Sequence, residues 1–154
     1  MKKKKWNRVL AVLLMVVMSI SLLSGCGSKN AEKEDAETNE LNMEIAEFVL
    51  QNEGADVTKA WNGQEAVELF RNSKPGEFNV ILMDIMMPVM NGYEATKMIR
   101  SLDREDAQEI PIIAMTANAF TEDRIRAKEA GMDEHVAKPV DVELLVKVIH
   151  KLVG

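Results

Sequence analysis

A chain of 154 residues holds one domain's worth of sequence, since domains commonly run to about 100–150 residues. Nineteen Lys and Arg stand against 25 Asp and Glu, and five of the basic residues precede Cys26 with no acid among them, so the remainder carries 14 basic residues to 25 acidic. Such an acidic body argues against phosphate-backbone binding, which needs clustered cations, and the single cysteine excludes an internal disulfide or a multi-cysteine zinc site.

In chain order, Lys2, Lys3, Lys4, Lys5 and Arg8 lead into Val9 to Leu23 (VLAVLLMVVMSISLL), which then meets Ser24 and Gly25. A basic start, an apolar run too short to span a bilayer and small residues after it form the pattern of a secretory leader. Leu23-Ser24-Gly25-Cys26 resembles the lipobox of bacterial lipoproteins, in which the cysteine is lipidated. The expectation is a signal peptide over 1–25 that stands outside the fold, with Cys26 as the lipidation site. An uncleaved anchor and an unrelated apolar start on a mis-joined reading frame are the alternatives.

Residues 26–39 are polar and without apolar periodicity, as in a flexible tether. Order is expected over 40–154. Leu41, Ile45, Phe48 and Val49 recur at helical spacing, and Gly54 is placed to end that helix in a left-handed cap. Ala55 to Trp61 reads as a strand, and Asn62 with Glu65 as a capping pair for the helix carrying Ala66, Leu69 and Phe70. Lys74-Pro75-Gly76 stops that helix. Phe78 to Asp84 is apolar enough for a parallel strand buried on both faces.

Gly92 marks a turn expected to need permissive backbone angles before a helix over Tyr93 to Leu102. Ile110 to Thr116 reads as a second buried strand, followed by a helix from about Thr121 to Gly131 and a short strand over His135 to Lys138. Asp141 caps a last helix whose inner stripe is Leu144, Leu145, Val148, Ile149 and Leu152. Strands alternating with helices predict an α/β sheet covered on both faces.

In such sheets ligands sit beyond the carboxyl ends of the strands, where this pattern leaves Asp84, Thr116 and Lys138. A carboxylate, a hydroxyl and an ammonium suit phosphoryl transfer to an aspartate nucleophile. Taken singly, each residue has a structural alternative: a turn cap, a strand-end hydrogen bond, a solvated charge. His135 and His150 lack a second histidine or cysteine at ligand spacing, so they read as a partly packed ring and a surface residue rather than metal ligands.

The words around these residues go further. Asp84-Ile85-Met86-Met87-Pro88-Val89-Met90-Asn91-Gly92 resembles the D-x-x-M-P-x-M-[DN]-G motif of response-regulator receiver domains, and Met115 to Pro139 (MTANAFTEDRIRAKEAGMDEHVAKP) resembles the family's last third. The resemblance runs from about Glu37 to Val153 and is closest to receivers attached to hybrid sensor kinases. It implies a flavodoxin-like, doubly wound parallel sheet in the order 2-1-3-4-5. It also implies that Asp84 accepts a phosphoryl group from a histidine kinase or a histidine phosphotransfer protein, with Thr116 and Lys138 on the phosphoryl oxygens. Pro139 would follow a cis peptide, the Met86 carbonyl would face Mg²⁺, and His135 stands at the family's switch aromatic. By this reading the chain is a regulatory phosphoacceptor rather than an enzyme.

The chain departs from the family at one place. Receivers begin with a buried strand ending in two acids that hold Mg²⁺, whereas Ala31 to Ala36 (AEKEDA) is not apolar; Glu37 aligns with the first acid and Thr38 with the second. The expectation is a sheet missing its first strand, with an incomplete metal site and impaired phosphorylation. Val9 to Val17 is apolar enough to fill the gap, but it ends without acids and would need about twenty residues to loop out before the first helix, which is unusual in a compact domain. A used leader would anchor the chain to a membrane by lipid; the receiver resemblance implies the cytoplasm. The rival function is a non-catalytic, lipid-anchored interaction module that keeps the fold without its chemistry.

Overall fold

A computed structural model describes residues 9–12, 44–45, 47–117 and 121–154. Its centre is a five-stranded, all-parallel sheet in the order β2-β1-β3-β4-β5. The strands are β1 (Val9–Val12), β2 (Val57–Ala60), β3 (Val80–Asp84), β4 (Ile112–Thr116) and β5 (Glu134–Ala137). This is the doubly wound arrangement expected, with one correction. The first strand is present, and it comes from the segment assigned to the leader.

Val9–Val12 pairs in register with Val57–Ala60 on one side and with Val80–Met83 on the other. The physical reason is the hydrogen-bonding demand of β3, whose five residues are all buried. An internal strand has N–H and C=O groups pointing both ways, and without a neighbour half of them would be unpaired away from water. AEKEDA is too polar for that slot; VLAV is not. The proposed cleavage boundary at residue 25, the tether 26–39, Cys26, Glu37 and Leu41 lie outside the described residues.

Helix α1 (residues 47–52, with helical residues also at 44–45) ends as expected at Gly54, whose φ is +87°. Helix α2 (Gly63–Asn72) opens on the reciprocal cap: Glu65 N–H donates to Asn62 Oδ1 at 2.9 Å and Trp61 N–H to a Glu65 carboxylate oxygen at 2.8 Å. Helices α3 (Gly92–Arg100), α5 (Thr121–Ala130) and α6 (Val142–Val153) fall where the periodicity places them, and Leu144 N–H donates to Asp141 Oδ1 at 3.1 Å. A short helix, α4 (Asp106–Glu109), carries no apolar period and was not expected.

The alternation along β3 and β4 divides the core. Ile81, Met83, Ile112 and Ala114 pack with α2, α3 and α5 through Ala66, Phe70, Ile99 and Ala127. Val80, Leu82, Ile113 and Met115 pack on the opposite face with Leu50, Leu145 and Ile149 of α1 and α6. Two inner stripes differ from expectation. On α1, Leu50 is the buried residue while Ile45 and Phe48 are exposed, and on α6, Leu144 is exposed. Both segments carry apolar residues on more than one helical face, so spacing alone does not choose which face meets the sheet.

Candidate functional site

Asp84 is the last residue of β3, and Thr116 the last of β4. Lys138 follows β5 by one residue. Parallel pairing in register brings the three ends together: Asp84 lies opposite Met115, and Thr116 opposite Ala137. Crossing hydrogen bonds continue beyond the strands. Ile85 N–H donates to the Met115 carbonyl at 3.1 Å and Lys138 N–H to the Thr116 carbonyl at 2.7 Å. The Lys138–Pro139 peptide is cis, as the resemblance implied.

The Asp84 carboxylate is 3% exposed. Its Oδ2 pairs with the Lys138 ammonium, and its Oδ1 accepts from Met86 N–H at 3.0 Å. A carboxylate taken this far out of water needs such partners. Thr116 is likewise buried, at the same end of the sheet. Met86 thus holds the carboxylate through its backbone amide. Met86 itself projects from the fold, 72% exposed.

The turn after Asp84 is held at both ends. Gly92 N–H donates to the Ile85 carbonyl at 3.0 Å, and a Cβ at Gly92 would collide with the backbone oxygen of Asp84. Asn91 and Glu94 form a capping box that starts α3 there. Gly63 meets the turn from the side, since its own Cβ would stand 2.5 Å from the Met90 carbonyl. Sequence reasoning marked Gly92 for permissive backbone angles, but its φ is not positive and what it supplies is room beside the Asp84 carbonyl; it missed Gly63, whose neighbour is 27 residues away in the chain and left no local sign. Val89, in the same turn, has φ +68° and is 84% exposed.

Among the described residues no group of three or more His, Cys, Asp or Glu is placed to hold a metal. Both oxygens of the Asp84 carboxylate are engaged. Mg²⁺ takes an octahedron of oxygens and is commonly held by one or two carboxylates together with water and phosphate. The described residues alone supply an incomplete set, and Glu37 lies outside them. His135 sits on β5, half-buried, beside a concavity lined by Arg124, Ile125, Lys128 and Glu134.

A buried nucleophile-type carboxylate, a lysine on it and a threonine beside it, all at the carboxyl edge of a doubly wound sheet, define a phosphoacceptor-type α/β domain. The chain belongs to the response regulator receiver domain family, which its residues 36–150 match. It is 38% identical over 117 residues to hybrid signal transduction histidine kinase I of Dictyostelium discoideum, covering 75% of this chain but 7% of that protein. It is 34% identical over 118 residues to the polar-differentiation response regulator DivK of Brucella anthropi, covering 77% of this chain and 92% of DivK. The receiver domain of the sensor histidine kinase PA1611 from Pseudomonas aeruginosa superposes with a TM-score of 0.71 at 29% identity, covering 97% of this chain and 98% of that one. That structure holds magnesium in its active-site cleft. The chain thus spans a small part of the hybrid kinase and nearly all of DivK, and as a receiver it falls within phosphorelay signalling.

Proposed function

We propose that the chain accepts a phosphoryl group on Asp84 from a histidine kinase or a histidine phosphotransfer protein. The observation that carries this reading is the Asp84 carboxylate, buried at a strand end with Lys138 on one oxygen and the Met86 amide on the other. A carboxylate oxygen attacks phosphorus in line, the bond from phosphorus to the donor's imidazole nitrogen breaks, and its electron pair leaves with the histidine. Lys138 and the Thr116 hydroxyl stand where they can offset charge on the transferring oxygens.

The acyl phosphate is a stored state rather than a turnover product, so the chain acts as a regulatory phosphoacceptor and not as an enzyme. Repacking around Thr116 and His135 would carry the signal. Mg²⁺ is the expected cofactor, bound weakly through Asp84 and the Met86 carbonyl unless an acid such as Glu37 joins them. The cytoplasm, where ATP-charged kinases work, is the compartment this reading requires. A second reading is a non-catalytic interaction module anchored by lipid at Cys26, motivated by Thr38 standing where the family's second acid aligns.

The test is the intact mass of the full chain after incubation with Mg²⁺ and acetyl phosphate, beside Asp84→Asn. One phosphoryl group gained by the parent and absent from the variant is the expected result. A folded chain that gains no mass overturns the phosphoacceptor reading and leaves the interaction module.

A further inference from the structure

Val9–Val12 holds two positions that cannot be occupied together. In the fold it is an internal strand of the sheet, paired to β2 and to β3. In the sequence it opens the apolar run Val9 to Leu23, directly after Lys2 to Lys5 and Arg8. The family match begins at residue 36, so this strand is supplied from outside the matched region. Residues 13–43 join it covalently to Glu44. At about 3.3–3.6 Å per extended residue, that connection is long enough for the strand to leave the sheet while the helices stay in place.

We propose that the slot between β2 and β3 is a strand-acceptor site whose occupant, Val9–Val12, is shared with an anionic lipid surface, so that membrane engagement dismantles the receiver sheet. The proposal rests on the receiver reading above for the folded state only, and not on phosphorylation. Three observations support it.

The first is backbone chemistry. In the slot the segment is extended and its N–H and C=O groups pair with two neighbours; in lipid, where no water can satisfy them, an apolar segment must turn them inward as a helix. One segment cannot be in both states. The second is charge. Five cations precede the apolar run with no acid among them, and a basic cluster beside an apolar segment is drawn to anionic headgroups. The acidic body of the chain offers no comparable attraction.

The third is topology. Among the described residues β2 pairs with β1 and with no other strand. Withdrawal of β1 therefore leaves β2 without a strand partner among the described residues, and β3-β4-β5 with a bare edge along Val80–Met83. The strand end that carries Asp84 would lose its flank, which couples lipid binding to loss of the receiver site.

Hydrogen exchange on the full chain, read by mass spectrometry, tests this in buffer, with neutral phosphatidylcholine vesicles, and with vesicles containing phosphatidylglycerol. The expected result is protection of Val57–Ala60 and Val80–Met83 in buffer and with neutral vesicles. With the anionic vesicles the chain should co-sediment and those amides should exchange faster by on the order of tenfold or more. The combined variant Lys2→Gln, Lys3→Gln, Lys4→Gln, Lys5→Gln, which leaves the strand intact, should keep its protection in all three.

Co-sedimentation with unchanged protection overturns the proposal, because the strand has then stayed in the sheet. Failure to co-sediment overturns it too, as does absence of protection in buffer. A chain that shows the lipid-dependent exchange but gains no phosphoryl mass supports the proposal while removing the phosphoacceptor reading, so the two fail separately.

Discussion

At the scale of single residues, the aspartate site depends on backbone closeness as much as on its charged partners. The turn after Asp84 can pass because Gly92 has no Cβ to strike the Asp84 carbonyl. Gly92→Ala should cost about 3 kcal/mol through overpacking against backbone that cannot move aside, seen as a lower urea midpoint with an unchanged m-value. Val89 makes the opposite case. It is a β-branched residue in the left-handed region, with its side chain in solvent, a conformation that costs most residues roughly 1–2 kcal/mol and asparagine less. Val89→Asn is expected to raise stability by about 1 kcal/mol, and a thermal melt that does not rise would refute the assigned strain. Gly92 was legible because Pro88 and Gly92 punctuate the turn; Val89 was not, since nothing in its neighbours forces a positive φ.

Between elements, long polar side chains tie helix ends to distant loops. The Arg104 guanidinium lies 4.2 Å from the Phe70 ring centroid and donates to the carbonyls of Phe70 and, at 3.1 Å, Ser73, at the end of α2. Asp106, at the start of α4, grips the same guanidinium through two hydrogen bonds of 2.6 and 2.8 Å, and accepts from Gly76 N–H at 2.8 Å. The hydrogen bond from Arg104 is the main reason the Asp106 carboxyl is held below the usual aspartate range, with the Gly76 amide adding to it and burial opposing. A carboxyl depressed on folding contributes stability that is fully present above its unfolded value, about 3.9, and is lost as pH falls through the lower folded value. Asp106→Asn should therefore lower stability at neutral pH, and the gap to the parent should close as pH falls below about 4. Urea midpoints measured across that range check it, and a constant gap would show that the charge is not responsible.

Arg100 does similar work between α3, α4 and the approach to β5. It donates to the Gly131 carbonyl at 3.0 Å and the Ala107 carbonyl at 2.8 Å, and pairs with Asp133 at 3.0 Å. Burial lowers its pKa, with Asp133 working against that. Neither arginine was legible beforehand. Each sits in a charged, aperiodic or helix-end stretch, and partners about 30 residues away leave no mark on local spacing. The caps at Asn62 and Asp141 were easier, because a side chain that bonds an amide three residues on is a local matter; the same local pattern at Asn91 and Glu94 was passed over.

For the whole molecule, the sheet depends on the internal strand β1 that joins β2 to β3. Every N–H in β1 faces a neighbouring strand, so Leu10→Pro removes a ladder donor from the centre of the sheet. A loss on the order of 3 kcal/mol is expected in the full chain, measured by denaturation in lipid-free buffer. Unchanged stability would mean that Val9–Val12 contributes nothing to the fold. No helix among the described residues is long and apolar enough to cross a membrane.

The sequence by itself determined β3, β4, the helices α2, α3 and α5, the caps of α2 and α6, and the convergence of Asp84, Thr116 and Lys138. Each of these follows from short-range physics: contiguous apolar runs bury as parallel strands, capping residues start helices, and residues at the ends of parallel strands meet. Only the tertiary structure decided which segment fills the centre of the sheet, which faces of α1 and α6 turn inward, and where Arg100 and Arg104 reach. A run such as VLAV suits a leader or a strand equally well as a string of letters. Its choice is made by the unpaired edges of β2 and β3, which exist only once the rest of the chain has folded around them.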